Sequence, residues 1–107
     1  MQQVLYHKLV RDRIPEIIEA SGDSCCVRTL TDEEYLQMLD CKLEEELAEY
    51  QQSKSIEELA DLLEVMEAVV RARGFSVENL TQVRDEKRKA RGGFEKKLFL
   101  VSVNRSE

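Results

Sequence analysis

Two stretches of this sequence open with a hydroxyl residue, carry a glutamate three places on, and run into apolar residues at helical spacing. In TDEE, Thr31 precedes Glu34, and Tyr35, Leu36, Leu39, Leu43, Leu47 and Tyr50 follow. In SIEE, Ser55 precedes Glu58, and Leu59, Leu62, Leu63, Met66, Val69 and Val70 follow, with Gly74 as a stop. A Ser or Thr at the N-cap and a Glu at N3 form a capping box, and apolar residues three or four apart build one face of a helix. The pattern predicts a helix from Thr31 to about Gln52 and a second from Ser55 to Gly74, joined by a tight turn around SKS. Such an antiparallel hairpin dominates what the chain can fold into.

The rest of the sequence agrees with a mainly α domain. Hydrophobic residues are 42% and charged residues 36%, with one Pro and four Gly, which suits a folded helical chain rather than a disordered one. At 107 residues a single domain spanning 1–107 is expected, short enough that association would help complete its core. The net charge of −6 argues against a nucleic-acid binder. No apolar run approaches a membrane span and no signal-like segment opens MQQVLYHKLVRDR, so a cytoplasmic protein away from the membrane is expected. Cys25, Cys26 and Cys41 show no CxxC spacing and are expected reduced and buried.

Smaller elements surround the hairpin. Asp12 is positioned to cap a short helix to Ser21, with Pro15 in its first turn and Gly22 beyond its end. A further helix is predicted from Ser76 through the basic run DEKRKAR to Gly92-Gly93. VLYHKLV reads as extended, and CCVRTL (25–30) and KLFLVSV as short peripheral strands. The predicted architecture is thus a helical hairpin with additional helices in a bundle.

Chemistry concentrates in EEELAEYQQSKSIEELAD, residues 44 to 61. Glu46 and Glu49 share a face of the first helix, and Glu58 and Asp61 a face of the second. With the turn at Ser53-Lys54, Glu49 and Glu58 are equally far from it, as are Glu46 and Asp61. Packed helices lie about 8–10 Å apart, a gap that facing carboxylates can bridge through a cation. Four hard oxygen donors without histidine or thiolate favour Mg²⁺ or Mn²⁺. A plainer reading stands beside this one: Glu58 can simply complete its capping box, and the glutamates of the first helix can be a solvated face. Asp61 has no capping role among Leu59, Leu62 and Leu63 and is the strongest of the four candidates.

EEELAE followed by EELADLLEV resembles the EExxE and ExxD signature of the all-α, MazG-like nucleoside triphosphate pyrophosphohydrolases. YHKLVRDRIPEII and KRKARGGF are similar to a compact, phosphoribosyl-ATP pyrophosphohydrolase-like branch, and the likeness runs from about Tyr6 to Phe99. It implies Mg²⁺-dependent hydrolysis between the α- and β-phosphates, metal binding by Glu46, Glu49, Glu58 and Asp61, and a homodimer or homotetramer whose helices complete a shared bundle. The chain reads DLLEV where the histidine-biosynthesis enzymes have a DLLYH-like run, which favours house-cleaning of other, non-standard nucleotides over phosphoribosyl-ATP.

Carboxylates facing a triphosphate require positive side chains. Lys8, Arg11 and Arg13 in KLVRDR, and Lys87, Arg88, Lys89 and Arg91 before the glycine pair, are candidates, with Lys8, Arg11 and Arg91 foremost. The alternatives are helix-dipole compensation by the second run and surface ion pairs for the first. Glu45 or Glu49 would orient the attacking water, and the lone histidine, His7, is read as structural. The competing function of another class is a non-catalytic helical oligomerisation module whose acidic hairpin only solvates the surface.

Overall fold

The computed structural model describes residues 2–106. It contains four helices, α1 (Ile14–Ala20), α2 (Asp32–Ser53), α3 (Ile56–Ala72) and α4 (Val77–Arg91), and no strand among the described residues. The chain is mainly α, as its periodicity implies. No helix among the described residues is long and apolar enough to cross a membrane. The chain divides into two compact units, Met1–Phe75 and Ser76–Glu107.

The first unit is built on the α2–α3 hairpin. At the start of α2 the Thr31 hydroxyl accepts from the Glu34 N–H at 3.2 Å, and the Glu34 carboxylate accepts the Thr31 N–H at 3.0 Å. Both halves of the capping box are made, and Arg28 adds two hydrogen bonds to the same carboxylate. These bonds, that from Arg28 first and that from the Thr31 backbone next, lower the Glu34 pKa to about 2. Thr31→Ala is expected to cost about 1 kcal/mol of stability, read as a lower urea midpoint at unchanged m-value.

Chain reversal between α2 and α3 takes two residues. Lys54 adopts the left-handed conformation (φ 58°) and its N–H returns to the Tyr50 carbonyl at 2.7 Å, closing α2. Ser55 then resumes an extended conformation as the N-cap of α3. So short a turn forces α2 and α3 to pack along their lengths, and theirs is the helix pair in close contact.

The buried apolar residues are few. Leu39 of α2 is 2% exposed and Val65 of α3 is 9% exposed, while Leu47, Leu59, Leu63 and Met66 stay largely open to solvent. The apolar stripes therefore divide: a hairpin gives each helix a single partner, which covers only part of a face some 100° wide.

Several peripheral elements differ from the sequence reading. Asp12 does not cap α1; Arg13 is the N-cap residue, makes no side-chain cap bond, and instead pairs with Glu16 at 3.1 Å. Residues 25–30 and the tail KLFLVSV form no strands. A strand exists only through a ladder with a neighbour, and Val27, Leu98, Phe99, Leu100 and Val101 are instead exposed. Cys26 and Cys41 are exposed rather than buried and Cys25 is half-buried; all three are free thiols, as expected. Cys41 follows Leu39 by two positions, about 200° around the helix, and so faces away from α3.

In the second unit, the Ser76 hydroxyl caps α4 by accepting from the Asn79 N–H at 3.0 Å. Gly92 ends the helix at φ 84°, a conformation that favours glycine, and its N–H returns to the Arg88 carbonyl. Lys87, Arg88, Lys89 and Arg91 are exposed on the last turns. Arg88 holds Glu95 at 2.7 Å, an ion pair just beyond the helix end.

Candidate metal centre

The carboxylates of α2 and α3 meet where Glu46 faces the first two turns of α3. One oxygen from each of Glu46, Glu58 and Asp61 lies within 4.8 Å of the others. Glu46 is only 6% exposed, the one buried charged residue among those described. Its Oε1 forms an ion pair with the Lys42 ammonium at 3.3 Å, whereas its Oε2, like Oε2 of Glu58, is buried without a hydrogen-bond partner. A buried polar atom left unpaired costs about 1–3 kcal/mol. Two such atoms in one three-carboxylate cluster call for a cation or polar group that supplies the missing interaction.

The position of Glu58 depends on the turn. In a completed capping box its carboxylate would accept the Ser55 N–H, as Glu34 does with Thr31. The Ser55 N–H instead donates to the Ser53 hydroxyl at 3.3 Å, and the two serine hydroxyls lie 3.1 Å apart. The Ser55 hydroxyl still caps α3 through the Glu58 N–H at 3.4 Å. Ser53 thus takes over half of the box, and the Glu58 side chain is released towards Glu46 and Asp61.

Glu49 stays outside the trio and is exposed. Equal spacing from the turn placed it level with Glu58, but Glu49 is rotated about 60° from Glu46 around α2, towards solvent. It acts on the cluster from the side. Burial chiefly, and the adjacent Glu49 carboxylate next, push the Glu46 pKa above the ordinary carboxylate range, against the pull of Lys42.

Cations border the cluster. Lys42, 15% exposed, contacts Glu45 at 3.2 Å as well as Glu46. Burial disfavours its charge, but Glu45 and Glu46 outweigh burial and raise its pKa. Lys8 approaches Glu45 at 3.7 Å, and Nη2 of Arg11 donates to Oδ1 of Asp61 at 2.6 Å. Lys8 and Arg11 thus lie where the sequence reading wants phosphate-binding groups. Arg13 does not, being engaged with Glu16. Lys87 and Arg91 belong to the second unit, exposed on α4. His7 is exposed at φ 47° and has no packed apolar setting.

Sequence reasoning missed Lys42 and Ser53. Lys42 had a signal, standing four residues before Glu46 on the same helical face. The donor set suits a hard divalent cation: oxygen ligands only, a half-closed setting, and spacings that small side-chain rotations bring to the ~2.1 Å bonds of Mg²⁺ or the similar ones of Mn²⁺. Glu46, Glu58 and Asp61 would hold it.

The comparisons with known proteins add little to this geometry. No family model matches the chain, and no solved structure matches it. An uncharacterized protein of Mycolicibacterium smegmatis is 62% identical over 42 residues, a match covering 39% of this chain and 43% of that protein. The matched segment is thus less than half of either protein, and the chain is similar to that relative over this segment alone.

Proposed function

We propose that the chain is a Mg²⁺-dependent pyrophosphohydrolase that cleaves a nucleoside triphosphate between its α- and β-phosphates and acts in the cytoplasm. The observation that carries this reading is the pair of buried, unpartnered oxygens on Glu46 and Glu58 beside Asp61. A solvated acidic face has no reason to bury them. The resemblance of EEELAE and EELADLLEV to the MazG-like signature supports the same reading.

When bound, Mg²⁺, or Mn²⁺ in its place, would neutralise and orient the phosphate oxygens. The protein's own residues do the rest. Lys42 fixes Glu46 in place, and Lys8 and Arg11 offer charge to the polyphosphate from the N-terminal segment. Glu49, exposed and adjacent to Glu46, orients the attacking water and accepts its proton. Glu45, held by Lys8 and Lys42, is less free to do so. Water oxygen bonds to the α-phosphorus, the bond to the bridging oxygen breaks, and pyrophosphate and the monophosphate leave. A second copy of the chain, covering Leu47, Leu59, Leu63 and Met66, would complete the partly covered stripes in a dimer or tetramer.

Pyrophosphate release from standard and damaged nucleoside triphosphates and from phosphoribosyl-ATP, with Mg²⁺ and with EDTA, tests the proposal. Release is expected only with Mg²⁺, and is expected to disappear in Asp61→Asn. The ranking of substrates separates a house-cleaning enzyme from a phosphoribosyl-ATP hydrolase. No release from any substrate would favour the non-catalytic oligomerisation module.

A further inference from the structure

The three cations at the cluster are not equivalent. Lys42 lies on α2 beside the residues it serves and is 15% exposed, whereas the Arg11 side chain is 56% exposed and reaches α3 from the non-helical segment before α1. Its 2.6 Å hydrogen bond falls on Asp61, which the proposed cation would also need. Lys8, on the same segment, reaches Glu45 of α2. Two contacts, 37 and 50 residues apart in sequence, thus tie one short segment to both helices at the site.

We infer that Arg11 is an exchangeable counter-ion: its guanidinium and a divalent cation compete for Asp61, and the guanidinium so displaced is the group that captures the polyphosphate. The inference rests on the metal reading above and adds the order of events, cation before nucleotide. Three features support it. A 2+ ion shared by Glu46, Glu58 and Asp61 would repel a guanidinium held on the same carboxylate. An exposed ion pair is weak, so its release is cheap. The long arginine side chain, held to Asp61 by a single hydrogen bond, can exchange that carboxylate oxygen for a phosphate oxygen, which a guanidinium binds equally well. Lys42, enclosed by Glu45 and Glu46, remains in place throughout. By linkage, the factor by which the bound cation strengthens phosphate capture is also the factor by which phosphate strengthens cation binding.

The discriminating measurement is Mn²⁺ affinity by electron paramagnetic resonance on the full chain, without nucleotide, for the native protein, Arg11→Met and Arg11→Lys. Removing a competitor should tighten Mn²⁺ binding about two- to fivefold in Arg11→Met, the range expected from loss of an exposed ion pair. Arg11→Lys, which keeps the competing charge, should bind Mn²⁺ as the native chain does. Inorganic pyrophosphate added to the Mn²⁺-loaded proteins should bind the native chain more tightly than Arg11→Met. Equal or weaker Mn²⁺ binding in Arg11→Met, with the native chain binding normally, would make Arg11 a fixed support of Asp61 and overturn the exchange while leaving the metal reading intact. Failure of all three proteins to bind Mn²⁺ would overturn both.

Discussion

In EDTA at pH 7, Glu46→Gln is expected to melt at a higher temperature than the native chain. Glu46 carries the cluster's largest electrostatic cost, since it is buried, has Glu49 at its side, and leaves Oε2 unpartnered. Glutamine keeps the shape, removes the charge and brings an amide donor that the unpartnered Oε2 of Glu58 can accept. Relief of one buried unsatisfied group is worth roughly 1–2 kcal/mol, and for a domain of this size that is roughly 5–15 °C in Tm. The pH dependence follows in sign. Because the folded-state pKa of Glu46 is raised, the folded chain holds a proton that the unfolded chain has released, and stability falls as pH rises from the ordinary carboxylate value of about 4.3 through the raised value. The advantage of Glu46→Gln therefore grows as pH rises through the raised value and vanishes below pH ~4. Mg²⁺ should reverse the ranking, since binding to the folded state stabilises only the protein that keeps the ligand. Thermal melts over pH, with and without Mg²⁺, check all three statements; a Glu46→Gln variant less stable at every pH would show that Lys42 alone already satisfies Glu46.

Glu58→Gln is expected to lower Mg²⁺-dependent pyrophosphate release at least 100-fold, whereas Glu34→Gln leaves it unchanged. The two glutamates occupy the same N3 position after Thr31 and Ser55, so their sequence contexts predict the same role. Their environments differ. The Glu34 carboxylate is bound to the Thr31 N–H and to Arg28, and neutralising it should lower the urea midpoint without loss of activity. The Glu58 carboxylate has no cap bond to lose and leaves Oε2 unpartnered, so its replacement should not lower stability. Removing even an outer-shell partner of a metal commonly costs 10- to 100-fold, and a direct ligand should cost no less. Steady-state rates and urea midpoints measured on both variants give a crossed pattern that a purely structural acidic face cannot produce. Equal activity losses would point instead to a general weakening of the hairpin.

What was legible in the sequence was local. Thr31, Ser55, Ser76 and Gly92 mark helix ends because each acts through its own neighbours' backbone, and all four stand where the pattern put them. Glu46, Glu58 and Asp61 were found because a short turn fixes which parts of α2 and α3 can meet. Glu49 was placed too deep because distance from the turn gives height along a helix and not rotation about it. The Arg11–Asp61 contact spans 50 residues and has no periodic signal. The strands expected at 25–30 and in the tail rested on side-chain preference, which is weak without a partner strand to pair with.

The Ser53 hydroxyl has a consequence out of proportion to its size. By accepting the Ser55 N–H it decides whether the next glutamate serves its own helix or its neighbour. If the trio holds a cation as proposed, the turn is an affinity dial, set by a residue that lies outside the three carboxylates. Substitutions at this position could adjust cation affinity gradually while every ligand is retained, giving evolution a way to retune the centre without dismantling it.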